Sequence, residues 1–317
     1  MSTSHNAKGP ASTALLLRKQ IQSVIVGRDE TIDLMLATLF AGGHILVEGP
    51  TGTGKTTLAK SFAMAIGGTF KRVQLTPDLL PADVIGTAIY DNSKKEFVPR
   101  KGPIFANVVM ADELNRASPR TQSAFLEAMQ EKQVTIDVQT YQLPSPFVVI
   151  ATQVPEDTGG IYPLTRTQLD RFAVKIDIGL PSRAEEGMII ERMDTIDHVS
   201  PITSLQEINS LIQTCNQIKV SEPVKEYLID LVNNARKVSE VRDYPSPRAT
   251  IWLYKVSKAI AMLNGRGYVL PDDVKSIAYP VLSHRLGLST GGRPFSNPDE
   301  IKSKIEQLLK ETPVPKL

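Results

Sequence analysis

Gly49-Pro50-Thr51-Gly52-Thr53-Gly54-Lys55-Thr56 is the stretch on which the reading of this chain turns. It has the spacing G-x-x-x-x-G-K-[ST]. It lies between a short apolar run, His44-Ile45-Leu46-Val47-Glu48, and a helical pattern over 55–66. The spacing has a mechanism. Glycines let backbone N–H groups close around a phosphate, and the start of the following helix adds its dipole. The Lys55 ammonium then suits the outer phosphate oxygens, and the Thr56 hydroxyl suits a magnesium ion. The candidate nucleotide-binding residues are therefore Gly49, Pro50, Thr51, Gly52, Thr53, Gly54, Lys55, Thr56 and Thr57. A chance match is the competing reading, and the strand–loop–helix context argues against it.

Outward from the loop, strand and helix patterns alternate. Apolar residues at helical spacing over 15–26 and 29–40 precede it, separated by Gly27. Strand-like runs follow at 70–75, 107–111, 147–151 and 172–176, with an amphipathic helix over 121–131. Residues 133–137 and 140–143 alternate as a hairpin would. Such alternation predicts a mostly parallel sheet covered on both faces. After Leu180-Pro181-Ser182 the pattern is almost entirely helical, and Ser182 with Glu185 has the spacing of a capping box. We therefore expect a disordered segment over 1–14, an α/β core over 15–181 and a smaller all-α lid over 182–317, built around separate cores.

Composition narrows the function classes. The 317 residues are 41% hydrophobic, and 36 basic against 34 acidic residues leave a net charge of +2. That balance does not announce a nucleic-acid binder. Cys215 is the single cysteine, so neither an intrachain disulfide nor a cysteine metal cluster can form. The longest apolar run near the start, Ala14 to Leu17, is too short for a secretory signal. No stretch approaches the ~20 apolar residues of a membrane span. A cytoplasmic protein without a membrane partner is expected.

Asp112-Glu113 ends the apolar run 107–111. In a parallel sheet the carboxyl ends of neighbouring strands gather on one edge, where a ligand sits. Asp112 can then hold magnesium together with Thr56, and Glu113 is the natural general base for an attacking water. The alternative is a pair of acids capping the next helix.

These segments together resemble a MoxR-family AAA+ ATPase. The resemblance rests on the phosphate loop, Leu75-Thr76-Pro77-Asp78-Leu79-Leu80-Pro81-Ala82-Asp83, Gly102-Pro103-Ile104-Phe105-Ala106-Asn107 and Ala111-Asp112-Glu113-Leu114-Asn115-Arg116-Ala117. The run from Thr121 to Glu131, Gln168-Leu169-Asp170-Arg171-Phe172 and Ser246-Pro247-Arg248-Ala249 complete it. It implies ATP or ADP with Mg2+ as ligands, a P-loop α/β core with a helical lid, and a ring, usually of six subunits. It also implies inserted hairpins near 87–98 and 133–143. Arg171 would be an arginine finger reaching a neighbour's γ-phosphate, and Arg248 would contact phosphate in cis. A planar guanidinium suits both tasks. Their bland readings are an Arg171–Asp170 pair and a surface Arg248 after a turn. Arg116 is a candidate for subunit contacts. Val26 and Gly27 would border the adenine or simply join two helices.

Two departures from the family pattern stand out. Where the family carries an Asn that orients water, this chain has Val154, in Ala151-Thr152-Gln153-Val154-Pro155. A valine offers no donor, so the contact is missing unless Gln153 or Thr152 supplies it, and slow hydrolysis is expected. Thr165-Arg166-Thr167 brings a cation close to the expected subunit interface, making Arg166 a second finger candidate. The resemblance implies a chaperone-like remodeller of a client protein, often with a partner bearing a von Willebrand factor A domain. The alternatives are a nucleic-acid translocase and a nucleotide-gated scaffold. Asp137-Val138-Gln139-Thr140, at the second hairpin tip, has no cation to grip a phosphate backbone, which disfavours nucleic acid. Trp252 and Tyr254 are expected to pack the lid, and Tyr162 and His284 to be structural.

Overall fold

The computed structural model describes residues 9–154, 159–192, 199–237, 241–288 and 298–316. Helices α1 (Pro10–Gln22) and α2 (Asp29–Phe40) lead to strand β1 (Ile45–Glu48), the glycine loop and α3 (Lys55–Ala65). Strand β2 (Phe70–Gln74), the short α4 (Pro81–Ile85) and a hairpin of β3 (Gly86–Asp91) and β4 (Glu96–Lys101) follow. Then come β5 (Val108–Asp112), α5 (Pro119–Glu131), and a second hairpin of β6 (Gln133–Ile136) and β7 (Gln139–Gln142). Strand β8 (Val148–Thr152), one turn of α6 (Arg166–Leu169) and β9 (Val174–Asp177) complete the first half. The second half holds α7 (Arg183–Glu191), α8 (Leu205–Gln217), α9 (Glu222–Lys237), β10 (Val241–Asp243) and α10 (Pro247–Leu263). It ends with α11 (Pro271–Leu282), β11 (Gly287–Leu288), which pairs with β10, and α12 (Pro298–Glu311). Residues 1–8 of the segment expected to be disordered, and Pro155, lie outside the described residues.

The order β2-β5-β8-β1-β9 makes a five-stranded sheet in which each pairing is parallel. Side chains alternate across it. Ile45, Val47, Val108, Met110, Val148 and Ile150 face α1, α2, α3 and the lid. Leu46, Val109, Ala111, Val149 and Ala151 face the layer of α4 and α5. Full coverage of both faces explains why these strands read as continuous apolar runs.

Two expectations are corrected. The chain is helical from Pro10, not disordered through residue 14: Pro10 opens α1, and Thr13, Ala14, Leu17 and Ile21 are buried. Nor do the two halves have separate cores. One apolar cluster runs from α1–α3 and the sheet into α8–α12. Gly43 lets this happen, since a Cβ there would stand 2.5 Å from Ala173 Cβ and 3.1 Å from the Trp252 ring. Trp252 is accordingly a wedge between lid and sheet as well as a lid residue.

Where α5 ends, His44 ties it to the sheet. Its Nδ1 accepts from the Val149 N–H at 3.0 Å, and its Nε2–H donates to Met129 O at 2.9 Å. Both bonds are made by the neutral ring. Burial, followed by the nearby Lys132 charge and against the Met129 bond, pushes its pKa down to about 4. An unfolded histidine titrates near 6.5, so below that pH the unfolded chain takes up a proton that the folded chain refuses. Stability from this site is complete above pH 6.5 and drains away as pH falls towards 4. Urea unfolding should therefore show about 2 kcal/mol less stability at pH 5 than at pH 7 from His44. His44→Gln should flatten the profile by that amount, and an unchanged slope would contradict the assignment.

Candidate functional site

The loop at the end of β1 is shaped for phosphate. Gly52 and Gly54 have φ of 79° and 81°, and a Cβ at either would meet nothing within 4 Å. Gly49 is tight instead, because a Cβ there would lie 2.1 Å from Ile178 O. Helix α3 begins at Lys55 with no side-chain cap and no acid in its first turn, so its leading amides and dipole are left for an anion. The Lys55 ammonium donates to Gly49 O at 2.8 Å and Pro50 O at 2.6 Å. Burial pulls its pKa below the ordinary lysine value, against the Asp112 and Glu113 carboxylates. A triphosphate fits this cradle of donors.

Asp112 and Glu113 leave β5 on the same sheet edge. Asp112 is held from both sides: Thr152 Oγ1 donates to its Oδ1 at 2.6 Å, and Arg72 donates to its Oδ2 from Nε at 2.9 Å and Nη2 at 2.6 Å. Glu113 adopts the left-handed region, φ 58° and ψ 51°, which a glutamate seldom enters. Its N–H donates to the same Thr152 Oγ1 at 2.8 Å. Its carboxylate forms an ion pair with Arg116, Nε to Oε2 2.7 Å. Carboxylate and hydroxyl oxygens from Asp112 and Thr56 are the hard donors a magnesium ion takes. Arg116, read as a candidate for subunit contacts, is engaged here with Glu113. Val154 is buried, and its backbone N–H and C=O are both bonded to the Asn115 amide, at 3.0 and 2.9 Å. Position 154 is thus a structural clasp, and the Thr152 hydroxyl at the end of β8 is engaged with Asp112 and the Glu113 N–H.

The cationic candidates lie at the other edge of the sheet. Asp170 and Arg171 stand just before β9, whose Val174 pairs with Ile45 at the start of β1. Arg171 Nη1 donates to Leu126 O at 2.6 Å on α5. The Arg171–Asp170 pair is not formed. Asp170 bonds instead to Arg285 Nε at 2.8 Å and Ser246 Oγ at 2.7 Å. Arg248 donates to Gln130 Oε1 at 3.2 Å, at the end of α5 and next to the Met129–His44 junction. Arg248, expected to contact phosphate in cis, stands instead where α10 docks its amino terminus against the entry edge of the strands. Arg166 is exposed on α6, at the same edge. The Val26–Gly27 turn abuts the connection from β9 to α7: Arg28 bonds Gly179 O at 2.6 Å, and a Gly27 Cβ would overlap the Glu185 carboxylate.

Arg72, Asn115, Ser246 and Arg285 were not singled out from sequence. Asn115 lies inside the segment Ala111–Ala117 and Ser246 inside Ser246–Ala249, so each has a local signal. Arg72 and Arg285 had none, since their partners lie 40 and 115 residues away in sequence.

The comparisons with known proteins agree with this architecture. Residues 44–174 match the family model "ATPase family associated with various cellular activities (AAA)", and residues 243–308 match "AAA lid domain". Uncharacterized protein YeaC of Bacillus subtilis is 43% identical over 273 residues, 85% of each chain. Chaperone MoxR1 of Mycobacterium tuberculosis is 40% identical over 280 residues, 85% of this chain and 74% of that one. A solved structure from Cytophaga hutchinsonii superposes with a TM-score of 0.88 at 37% identity, covering 97% of this chain and 96% of that one.

The Thr152 hydroxyl, itself buried, donates to Asp112 Oδ1 and accepts from the Glu113 N–H. Thr152→Val keeps the shape and strands Asp112 Oδ1 and the Glu113 N–H, at a cost of about 1–3 kcal/mol. Urea denaturation should register that loss, and Thr152→Ser should recover most of it. A Thr152→Val protein as stable as the parent would remove Thr152 from this role.

Proposed function

Since this chain belongs to the MoxR family of AAA+ ATPases, we propose that it hydrolyses ATP within a ring, of six subunits by family analogy, to remodel or activate a client protein. One observation carries the reading. The phosphate loop, Asp112 and Glu113 sit where strands end, whereas Arg171 and Arg248 sit where strands begin. Four residues of β1 at about 3.3 Å each put roughly 13 Å of sheet between the two groups. A single chain thus offers two half-sites, and a ring of copies brings one subunit's arginines to the next subunit's phosphates. Both Arg171 and Arg248 act in trans in this reading, with Arg166 at the same interface.

The chemistry follows from the residues. Loop amides and the α3 amino terminus bind the phosphates, and Lys55 leaves the carbonyls of Gly49 and Pro50 for the outer phosphate oxygens. Thr56 and Asp112 would hold magnesium, which when bound would offset phosphate charge. Glu113 takes a proton from water as the water oxygen bonds to the γ-phosphorus and the bond to the bridging oxygen breaks, giving ADP and phosphate. Neighbouring guanidinium groups stabilise the charge that develops. Val154 offers no donor to orient the water, so turnover is slow.

A protein client is favoured by the hairpins. Tyr90 and Phe97 form an exposed edge-to-face pair on β3–β4, 5.3 Å between centroids, suited to gripping a polypeptide. Val138 at the β6–β7 tip is 94% exposed, in a turn without cations. A partner bearing a von Willebrand factor A domain belongs to the same proposal.

Steady-state ATPase measurements test the first part. Glu113→Gln should still bind ATP and lose at least 100-fold in turnover. Lys55→Ala and Arg248→Ala should each be inactive alone and regain activity when mixed, because a mixed interface unites an intact loop with an intact arginine. A cis-acting Arg248 would give no recovery, and ATP binding without turnover in the parent would favour a nucleotide-gated scaffold. Added unfolded polypeptide such as casein should raise turnover, while single-stranded DNA should not. Stimulation by DNA alone would favour the translocase.

A further inference from the structure

The two arginines assigned to the neighbour come from different halves of the chain, 77 positions apart, yet a short line of bonds joins them. Asp170, adjacent to Arg171, accepts from Ser246 Oγ at 2.7 Å. Ser246 Oγ in turn accepts from the Arg248 N–H at 3.0 Å, as the cap of α10. The remaining Asp170 oxygen accepts from Arg285 Nε at 2.8 Å. Arg285 is almost wholly buried, with 1% of its side chain exposed, and also donates to Asp170 O, Phe172 O and, on α11, Val281 O. Every oxygen of the Asp170 carboxylate is therefore committed to the lid. Arg171 is itself pinned to α5 through Leu126 O, and Arg248 reaches Gln130 on the same helix.

We propose that Asp170 and Ser246 are positioning residues, a relay that fixes Arg171 and Arg248 at one spacing, so that they enter a neighbour's site as a single unit. The proposal rests on the trans reading given above. Within it, a lid movement that shifts Arg248 is transmitted to Arg171 through one carboxylate, and neither arginine engages alone. Arg285 is the anchor that keeps the carboxylate in place. A buried guanidinium with all its partners made is costly to disturb, which suits a fixed spacing better than a loose contact.

Asp170→Asn leaves Arg285 without its counter-charge and risks unfolding, so the test turns on Ser246. Ser246→Asp keeps a capping acceptor for α10 but sets a carboxylate against Asp170, whereas Ser246→Thr keeps both bonds. Hydrogen exchange on the nucleotide-free full chain comes first. Ser246→Asp should speed exchange in residues 169–173 of the core as well as in 246–250 of the lid, and Ser246→Thr should match the parent. Faster exchange confined to the lid would overturn the relay. In ATPase assays Ser246→Asp should lose at least 10-fold in kcat with the Kd for ATP unchanged, and should regain activity when mixed with Lys55→Ala. If Arg248→Ala recovers in that mixture while Ser246→Asp is fully active, or is inactive without recovery, the relay falls and the trans reading stands. If Arg248→Ala itself fails to recover, the trans reading falls and takes the relay with it.

Discussion

A sheet whose strands all run one way has an edge where the chain leaves and an edge where it enters, and nothing in the molecule can exchange the two. The loop after β1, the acids at the end of β5 and the Thr152–Val154 segment at the end of β8 collect at the leaving edge. His44 before β1, Asp170 and Arg171 before β9, the end of α5 and the start of α10 collect at the entering edge. The polarity is enforced by apolar packing on both faces, since reversing one strand would expose its alternate side chains and break its ladder on two sides. The separation of phosphate-binding groups from guanidinium groups is thus a property of the topology, and the rest of the site is arranged around it.

That topology also decides what could be read from sequence. The glycine loop, the Asp112-Glu113 pair and the helices over 29–40, 55–66 and 121–131 are local patterns, and local spacing carries them. The short α4, the β10–β11 ribbon and the left-handed turn at Glu113 have too few residues to show a period. Arg72 meets Asp112 only because β2 lies beside β5, a neighbour relation fixed by crossovers rather than by either strand. The segment Ser246–Ala249 carrying Arg248 is legible, but the docking direction of its helix is not. That direction follows from Trp252 seating against Gly43 and from the shared core with α1 and α2. Similarly, Leu17 and Ile21 give α1 a buried face only once the lid supplies its other side.

The lid is held by charge as well as by apolar contact. Helix α11 lies along β9, the edge strand, and its carboxyl-terminal half and the turn after it tie down both ends of that strand. At one end Tyr279 donates to Asp177 Oδ2 at 2.7 Å, and Asp177 shares Lys175 with Glu48. Burial alone would depress Lys175, but Glu48 and Asp177 outweigh it and hold its ammonium above the ordinary value. At the other end Arg285 grips the backbone entering β9. Buried ion pairs add little net stability, yet they penalise every other alignment of the same surfaces. They act here as a registry device, and α11 at the same time covers a strand edge that would otherwise be open to pairing.

The lysine of the phosphate loop gives the protein a further property. With its ammonium bonded to Gly49 O and Pro50 O, the loop serves as its own ligand. A ligand that takes Lys55 must offer it more than two carbonyl dipoles already provide, and concentrated negative charge does so. In the function proposed above, this exchange of partners at Lys55 is the first step of nucleotide entry, and it favours ligands that carry the most phosphate charge.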